Sequence, residues 1–242
     1  MRIRRGPATV IDDEKGCGTV NIAGAIADVA TCGGFFAITV GGNPAGWVPV
    51  HRCYRAGCAD LVEATATRCE TTDLRVGASL VQFSHASRLW SPVLATALAH
   101  GVVPDLADIQ RRDTGTELRL PAPVGRQLDD GRPLAQQLYR LVIEDHLEPL
   151  VAGLRVKAAP RLLYGNAAAA LVGAANQLAA ARPQLRSAAI SVTESLLAMG
   201  DLAGTGALTA LQFQRRSCCL YYRVPAGSYC GDCALAGRGR GQ

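Results

Sequence analysis

Apolar positions recur along this chain at helical spacing in its second half and in a more mixed pattern in its first. Residues 20–32 read as a short apolar helix, broken by Gly33-Gly34. Phe35-Phe-Ala-Ile-Thr-Val40 is aromatic and β-branched, and so predicts a strand. The turn-rich Gly41-Gly-Asn-Pro-Ala-Gly46 separates it from Trp47-Val-Pro-Val-His51, a returning strand, so a hairpin is expected here. From about 77 to 100, Leu80, Phe83, Ser87, Trp90, Leu94 and Leu98 follow three- and four-residue spacing. Pro92 either kinks that helix or starts a new one with Ser91 as its cap, Gly101 stops it, and Pro104 lies just beyond. Glu117-Leu-Arg-Leu120 alternates like a short strand. Further helices are predicted from Pro133 to about Leu154, disturbed at Pro149; from Pro160 to Arg182; and from about Pro183 to Met199, with Gly200 as the stop.

The expected fold class is therefore α+β and predominantly helical: a mixed N-terminal part with a small sheet, a helical bundle in the second half, and a loop-rich cysteine segment at the end. Two regions are expected, a body over residues 1–212 and a segment over 213–242 whose composition turns to Cys, Tyr, Gly and Arg. Such a segment cannot hold a core of its own and needs docking or a bound metal. No internal repeat or low-complexity linker interrupts the chain.

Composition narrows the classes. The chain has 242 residues, 49% of them hydrophobic and 19% charged, which is the profile of a globular protein with a sizeable core. Aromatics are scarce and alanine abundant, which favours an aliphatic, helical interior. The net charge of +5 is small and scattered, so a nucleic-acid partner is not indicated. The basic opening Met1-Arg-Ile-Arg-Arg is followed by Ile11-Asp-Asp-Glu-Lys15 where a secretory signal needs its apolar run. Residues 22–42 contain Asp28, Thr31 and five glycines, which disfavours a membrane span. A cytoplasmic protein with at most peripheral membrane contact is expected.

Nine cysteines is an odd and high number for such a compartment, where disulfides are disfavoured and clustered thiols suggest metal. The tail reads Cys218-Cys219, ten residues, then Cys230-Gly-Asp-Cys233. The Cys-x-x-Cys loop can wrap one centre, with Gly231 permitting unusual backbone angles and close approach of N–H groups to sulfur. Adjacent cysteines point to opposite faces of a strand, so they can share a centre only if the backbone bends sharply. Spacing alone leaves three readings open: an iron–sulfur cluster, structural zinc and free thiols. Cys53, Cys58 and Cys69, with Cys17 and Cys32, read as buried free thiols rather than a second metal site. No serine-nucleophile motif, phosphate loop or dinucleotide fingerprint is present.

The stretch Cys-Cys-Leu-Tyr-Tyr-Arg-x-Pro…Tyr-Cys-Gly-Asp-Cys resembles the C-terminal [2Fe–2S] motif of FhuF-type siderophore–iron reductases. Arg88-Leu-Trp-Ser-Pro92-Val-Leu, Gly101-Val-Val-Pro104-Asp-Leu and Leu163-Tyr-Gly-Asn166-Ala-Ala are similar to that family's central helical region. The resemblance spans roughly residues 75 to 235. It implies a [2Fe–2S] cluster on Cys218, Cys219, Cys230 and Cys233, with Arg223, Gly231 and Asp232 around it. It also implies one-electron reduction of a ferric siderophore, with electrons from an external donor protein or flavin reductase system. His85, Arg88 and Trp90 fall near the family-like stretch and are candidate substrate contacts, Trp90 being equally suited to the core. Arg215, Arg216 and Arg223 could offset charge on a reduced cluster, attract an acidic donor, or be solvated surface residues. The alternatives are a non-catalytic siderophore-binding or electron-carrier protein and a zinc-stabilised structural domain. Neither the siderophore, the donor nor the oligomeric state is readable here.

Overall fold

A computed structural model of the chain describes residues 10–11 and 18–236. The basic run at the start, the charged stretch at 12–15 and Cys17 lie outside them. The helices are α1 (Ala23–Ala30), α2 (Val50–Arg55), α3 (Ala59–Arg68), α4 (Leu74–His100), α5 (Leu134–Tyr139), α6 (Glu148–Gly153), α7 (Pro160–Ala181) and α8 (Arg186–Leu197). The strands are β1 (Val10–Ile11), β2 (Thr19–Asn21), β3 (Thr39–Val40), β4 (Trp47–Pro49), β5 (Val102–Pro104), β6 (Gln110–Arg112), β7 (Leu118–Leu120), β8 (Val124–Gln127), β9 (Gly206–Thr209) and β10 (Gln212–Arg215). The fold is α+β and predominantly helical, with small sheets and a cysteine-rich C-terminal segment, as the pattern predicts.

Helix α4 is the axis of the molecule. Asp73 caps it by accepting a hydrogen bond from the Arg75 N–H, and Gly101 closes it in the left-handed region at φ 69°. It runs through Pro92 as one helix, and the Thr96 hydroxyl donates to the Pro92 carbonyl. Almost every residue from Ala86 to Leu98 is buried, so little amphipathic pattern is left to read. Helix α7 packs along α4. Its alanines Ala167, Ala168, Ala170, Ala174 and Ala175 are all buried, and side chains this small let the two backbones approach closely. Alanine abundance is thus a packing device here as well as a helix preference.

The expected hairpin at residues 35–51 does not form. Strand β3 pairs in parallel with β7, and β4 pairs antiparallel with β6, so β7 and β6 lie between them in the order β3-β7-β6-β4. The cause is the buried Arg119 of β7. Its guanidinium donates to the carbonyls of Gly41 and Gly42 and to Gln110 Oε1, each at 2.7 Å. The glycines at the turn, both left-handed, aim their carbonyls at this cation rather than closing a tight turn. A second sheet, β1-β2-β8-β5, is antiparallel throughout. The disturbance expected at Pro149 lies ahead of it, where residues Arg140–Leu147 wind as a π-helix between α5 and α6.

Cys53 and Cys58 are joined by a disulfide, which corrects their reading as free thiols. Gly57 and Cys58 both take left-handed angles, and the Cys58 N–H donates back to the Cys53 carbonyl at 2.8 Å. The chain therefore doubles back and brings the two Cα atoms to 4.7 Å. Cys32 and Cys69 are free, Cys32 buried and Cys69 partly exposed. Among the described residues, no helix is long and apolar enough to cross a membrane.

Beside the disulfide, the Tyr54 hydroxyl lies 2.6 Å from His85 Nε2 and 3.1 Å from His146 Nδ1. Burial holds both imidazoles neutral, pushing His85 down to about 3 and His146 down to about 4. In the unfolded chain both titrate near 6.5. Between those limits only the unfolded chain takes up protons, so stability is full above pH 6.5 and falls as pH drops towards 4. Urea unfolding is expected to show a loss of about 1 kcal/mol or more between pH 6.5 and 5. A flat profile over that range would contradict the buried, neutral pair.

Candidate metal centre

The cysteine segment follows a hairpin. Strands β9 and β10 pair antiparallel through the two-residue turn Ala210-Leu211, both left-handed. That turn is pinned to α7, because Asn176 Nδ2 donates to the Leu211 carbonyl at 2.7 Å. Strand β10 ends at Arg215 and delivers Cys218 and Cys219. Leu220 then turns left-handed at φ 69° and redirects the chain just after the Cys218-Cys219 pair. A short 3-10 turn, Tyr221–Arg223, carries the chain back towards Cys230 and Cys233.

The sulfurs of Cys219 and Cys230 come to 3.8 Å. That is the edge of a tetrahedron with metal–sulfur bonds of about 2.3 Å. Backbone N–H groups already point at two thiols: Leu220 donates to Cys218 Sγ and Leu235 to Cys233 Sγ, each at 3.3 Å. Such donors are the usual means by which a protein stabilises thiolate around iron. Gly231 takes no left-handed angle, and a Cβ there would meet nothing, so the expected need for glycine in this loop does not arise; the left-handed residue of the segment is Leu220, ahead of the loop. Cys219 and Cys233 are buried, and Cys218 and Cys230 partly exposed. Burial pushes the Cys218 thiol up, and burial with the Asp232 carboxylate pushes Cys230 further up. Thiolates here need a bound cation to offset their charge. Among the described residues, no three His, Cys, Asp or Glu side chains converge as ligands of one metal ion.

The segment is bolted to the body by a buried polar chain. Ser79 of α4 donates to the Cys219 carbonyl at 2.7 Å. Asn166 of α7 donates to the carbonyl and the hydroxyl of Ser79, both at 3.0 Å. Arg215 Nη2 donates to Asn166 Oδ1 at 2.6 Å. Its Nε faces Asp232 at 3.6 Å as an ion pair, and its backbone N–H bonds the Asp232 carbonyl at 3.1 Å. Ser79 and Asn166 are wholly buried and Arg215 is 3% exposed. The chain thus reaches both cysteine pairs, one through Cys219 and the other through Asp232. Gly165 completes the seat, because a Cβ there would strike the Ser217 hydroxyl.

Residues 215–235 match the family model described as FhuF 2Fe-2S C-terminal domain. The match covers the cysteine segment and points to a [2Fe–2S] cluster as the cofactor. No curated protein and no solved structure matches the chain. The FhuF-type segment contains all four cysteines of the motif and both partners of the Arg215–Asp232 pair. The donor types fit the group: four thiols, one pair of them at tetrahedral spacing, amide donors on two of the sulfurs and a buried guanidinium close by.

The other sequence candidates lie elsewhere. Trp90 is fully buried in the core. His85 is held by Tyr54, and Arg88 stacks over Phe35 with its guanidinium carbon 5.3 Å from the ring centroid. Arg223 stays near the segment, 3.2 Å from Asp73 at the start of α4. Arg215, one of three arginines read as able to balance cluster charge, is buried, whereas Arg216 and Arg223 are exposed. Ser79 and Asn166 were missed as site residues; the signal was a wholly apolar setting for two amide- or hydroxyl-bearing side chains. Replacing Asn166 by Ala strands the Arg215 guanidinium and should cost about 2–3 kcal/mol. The variant should also release iron faster to a chelator than wild type. Unchanged stability and unchanged iron retention would show that the polar chain is not what seats the segment.

Proposed function

We propose that the protein is a ferric-siderophore reductase in which Cys218, Cys219, Cys230 and Cys233 hold the cluster and residues 1–212 form the body that receives the substrate. The observation that carries this reading is the match of residues 215–235 to the FhuF 2Fe-2S C-terminal domain, in a segment seated on α4 and α7 with the Cys219 and Cys230 sulfurs 3.8 Å apart. When bound, a [2Fe–2S] group supplies one electron at a time, at potentials near −400 mV in the all-cysteine ferredoxin type. The substrate is Fe³⁺ held by hard oxygen donors. One electron converts it to Fe²⁺, which those donors hold less tightly, so reduction and release are linked. The roles of this chain are to keep the sulfurs as thiolates, to place Arg215 where added negative charge is offset, and to leave Cys218 and Cys230 near the surface for exchange with partners. An external donor protein or flavin reductase system restores the electron. Location in the cytoplasm belongs to the same proposal; the Cys53–Cys58 disulfide is the feature that runs against a reducing compartment.

The test is ferrous-iron release from a ferric siderophore under anaerobic conditions, with catalytic protein, a reductant and a ferrous chelator as the readout. Wild type is expected to turn over many times. Cys230→Ser should fall at least 100-fold. Tight binding of the ferric complex without turnover would replace this reading by a siderophore-binding or electron-carrier role. A colourless protein holding stoichiometric zinc would replace it by a structural one.

A further inference from the structure

A cleft of about 370 Å³ opens beside the cysteine segment. Arg161 and Tyr164 of the first turns of α7 form one wall. Asp201 and Thr205, ahead of β9, form the second. Arg216 and Ser217 form the third and run directly into Cys218. The volume is at the small end of the range of ligand sites, enough to take one face of a chelate complex.

The charge of this cleft is arranged against local stability. Arg161 sits in the first turn of a 22-residue helix whose N-terminus has neither a side-chain cap nor an acidic residue. The helix dipole already places partial positive charge there, so a cation at this point is disfavoured. Arg161 is exposed and has no hydrogen-bond or ion-pair partner among the described residues. Arg216 on the facing wall is also exposed, its Nη1 donating to the Gly204 carbonyl at 3.3 Å. The one carboxylate lining the cleft, Asp201, lies near the Tyr164 hydroxyl, which burial and that carboxylate hold protonated, and Glu148 lies close enough to act on both. At the floor, the Ser217 hydroxyl is buried and has no partner among the described residues. Two cations and a helix N-terminus therefore face one cavity, whose third wall ends a single residue from Cys218.

We propose that this cleft binds the anionic ferric complex of a siderophore, one whose iron-wrapping oxygens leave net negative charge, such as a catecholate or α-hydroxycarboxylate chelate. The proposal rests on the reductase reading for the identity of its ligand. Arg161 and Arg216 pair with the anionic rim of the complex. The wall formed by Arg216 and Ser217 runs directly into Cys218, so a complex seated there has its iron close to that end of the cysteine segment. Electron transfer to it is the one-electron step already described.

The test uses gallium(III), which has the charge of ferric iron and is not reduced, so binding is measured apart from turnover. Calorimetric titration of the cluster-loaded protein compares the gallium complex of a tricatecholate siderophore with the uncharged gallium complex of a trihydroxamate. The anionic complex is expected to bind at least tenfold more tightly, and its affinity should fall as salt is raised. Arg161→Glu and Arg216→Glu should each weaken it at least tenfold while leaving the visible absorption of the cluster unchanged. Both side chains are exposed, so folding is expected to survive either change. Equal affinity in the double variant, no preference for the anionic complex, or no binding of it by wild type overturns the proposal. Ferrous release by wild type together with any of these results leaves the reductase reading standing and removes the cleft from it. Gallium binding without ferrous release does the reverse.

Discussion

The arrangement at the C-terminal end depends on one buried guanidinium. Arg215 is taken almost wholly out of water, a cost that only good partners can offset. It donates to the Asn166 amide oxygen at 2.6 Å and faces the Asp232 carboxylate as an ion pair at 3.6 Å, beyond hydrogen-bond reach. Because Asn166 is itself fixed by Ser79, and Ser79 holds the Cys219 carbonyl, the three residues form a closed polar seat inside an otherwise apolar α4–α7 interface. A cysteine segment too short to build its own core is thereby referenced to the two longest helices. The ion also faces the place where negative sulfur charge gathers, so what anchors the segment serves its electrostatics as well.

The thiols themselves point the same way. Burial raises Cys218 and Cys230, so unassisted they stay protonated and are poor nucleophiles. A bound metal centre reverses that, and the amide donors at Leu220 and Leu235 stand ready for the thiolate form. The segment is therefore built for the loaded state. Its two flanks differ. Towards α7 lies a cleft lined by two exposed cations, Arg161 and Arg216. Towards the start of α4 lie the exposed rings of Tyr222 and Tyr229, with centroids 6.0 Å apart.

How much of this was legible in the sequence follows from which interactions are local. Helices α4, α7 and α8 were readable because their caps and stops, such as Gly101 and Pro160, act within a few residues. The cysteine segment was readable because its four cysteines lie close together in the chain, and the resemblance, not the spacing, pointed to [2Fe–2S]. The hairpin at 35–51 failed because a residue far along the chain, Arg119, takes the turn's carbonyls. Helices α2 and α3 escaped because short elements joined by left-handed Gly57 and Cys58 show little periodicity. The same turn hid the disulfide, which spacing in a cytoplasmic frame argued against. Asn166 was visible as part of the family-like stretch Leu163-Tyr-Gly-Asn166-Ala-Ala but not as a residue of the site. Its role needs Ser79 and Arg215, which lie 87 and 49 residues away in the chain.

The central claim is that these four cysteines hold two irons as one unit, seated on α4 and α7. A Mössbauer spectrum of protein loaded with ⁵⁷Fe and reduced by a single electron tests it most directly. The account predicts two iron sites of equal area, one ferric and one ferrous, that collapse together in the Cys230→Ser variant. A single iron environment, or a spectrum that survives that substitution unchanged, would contradict it.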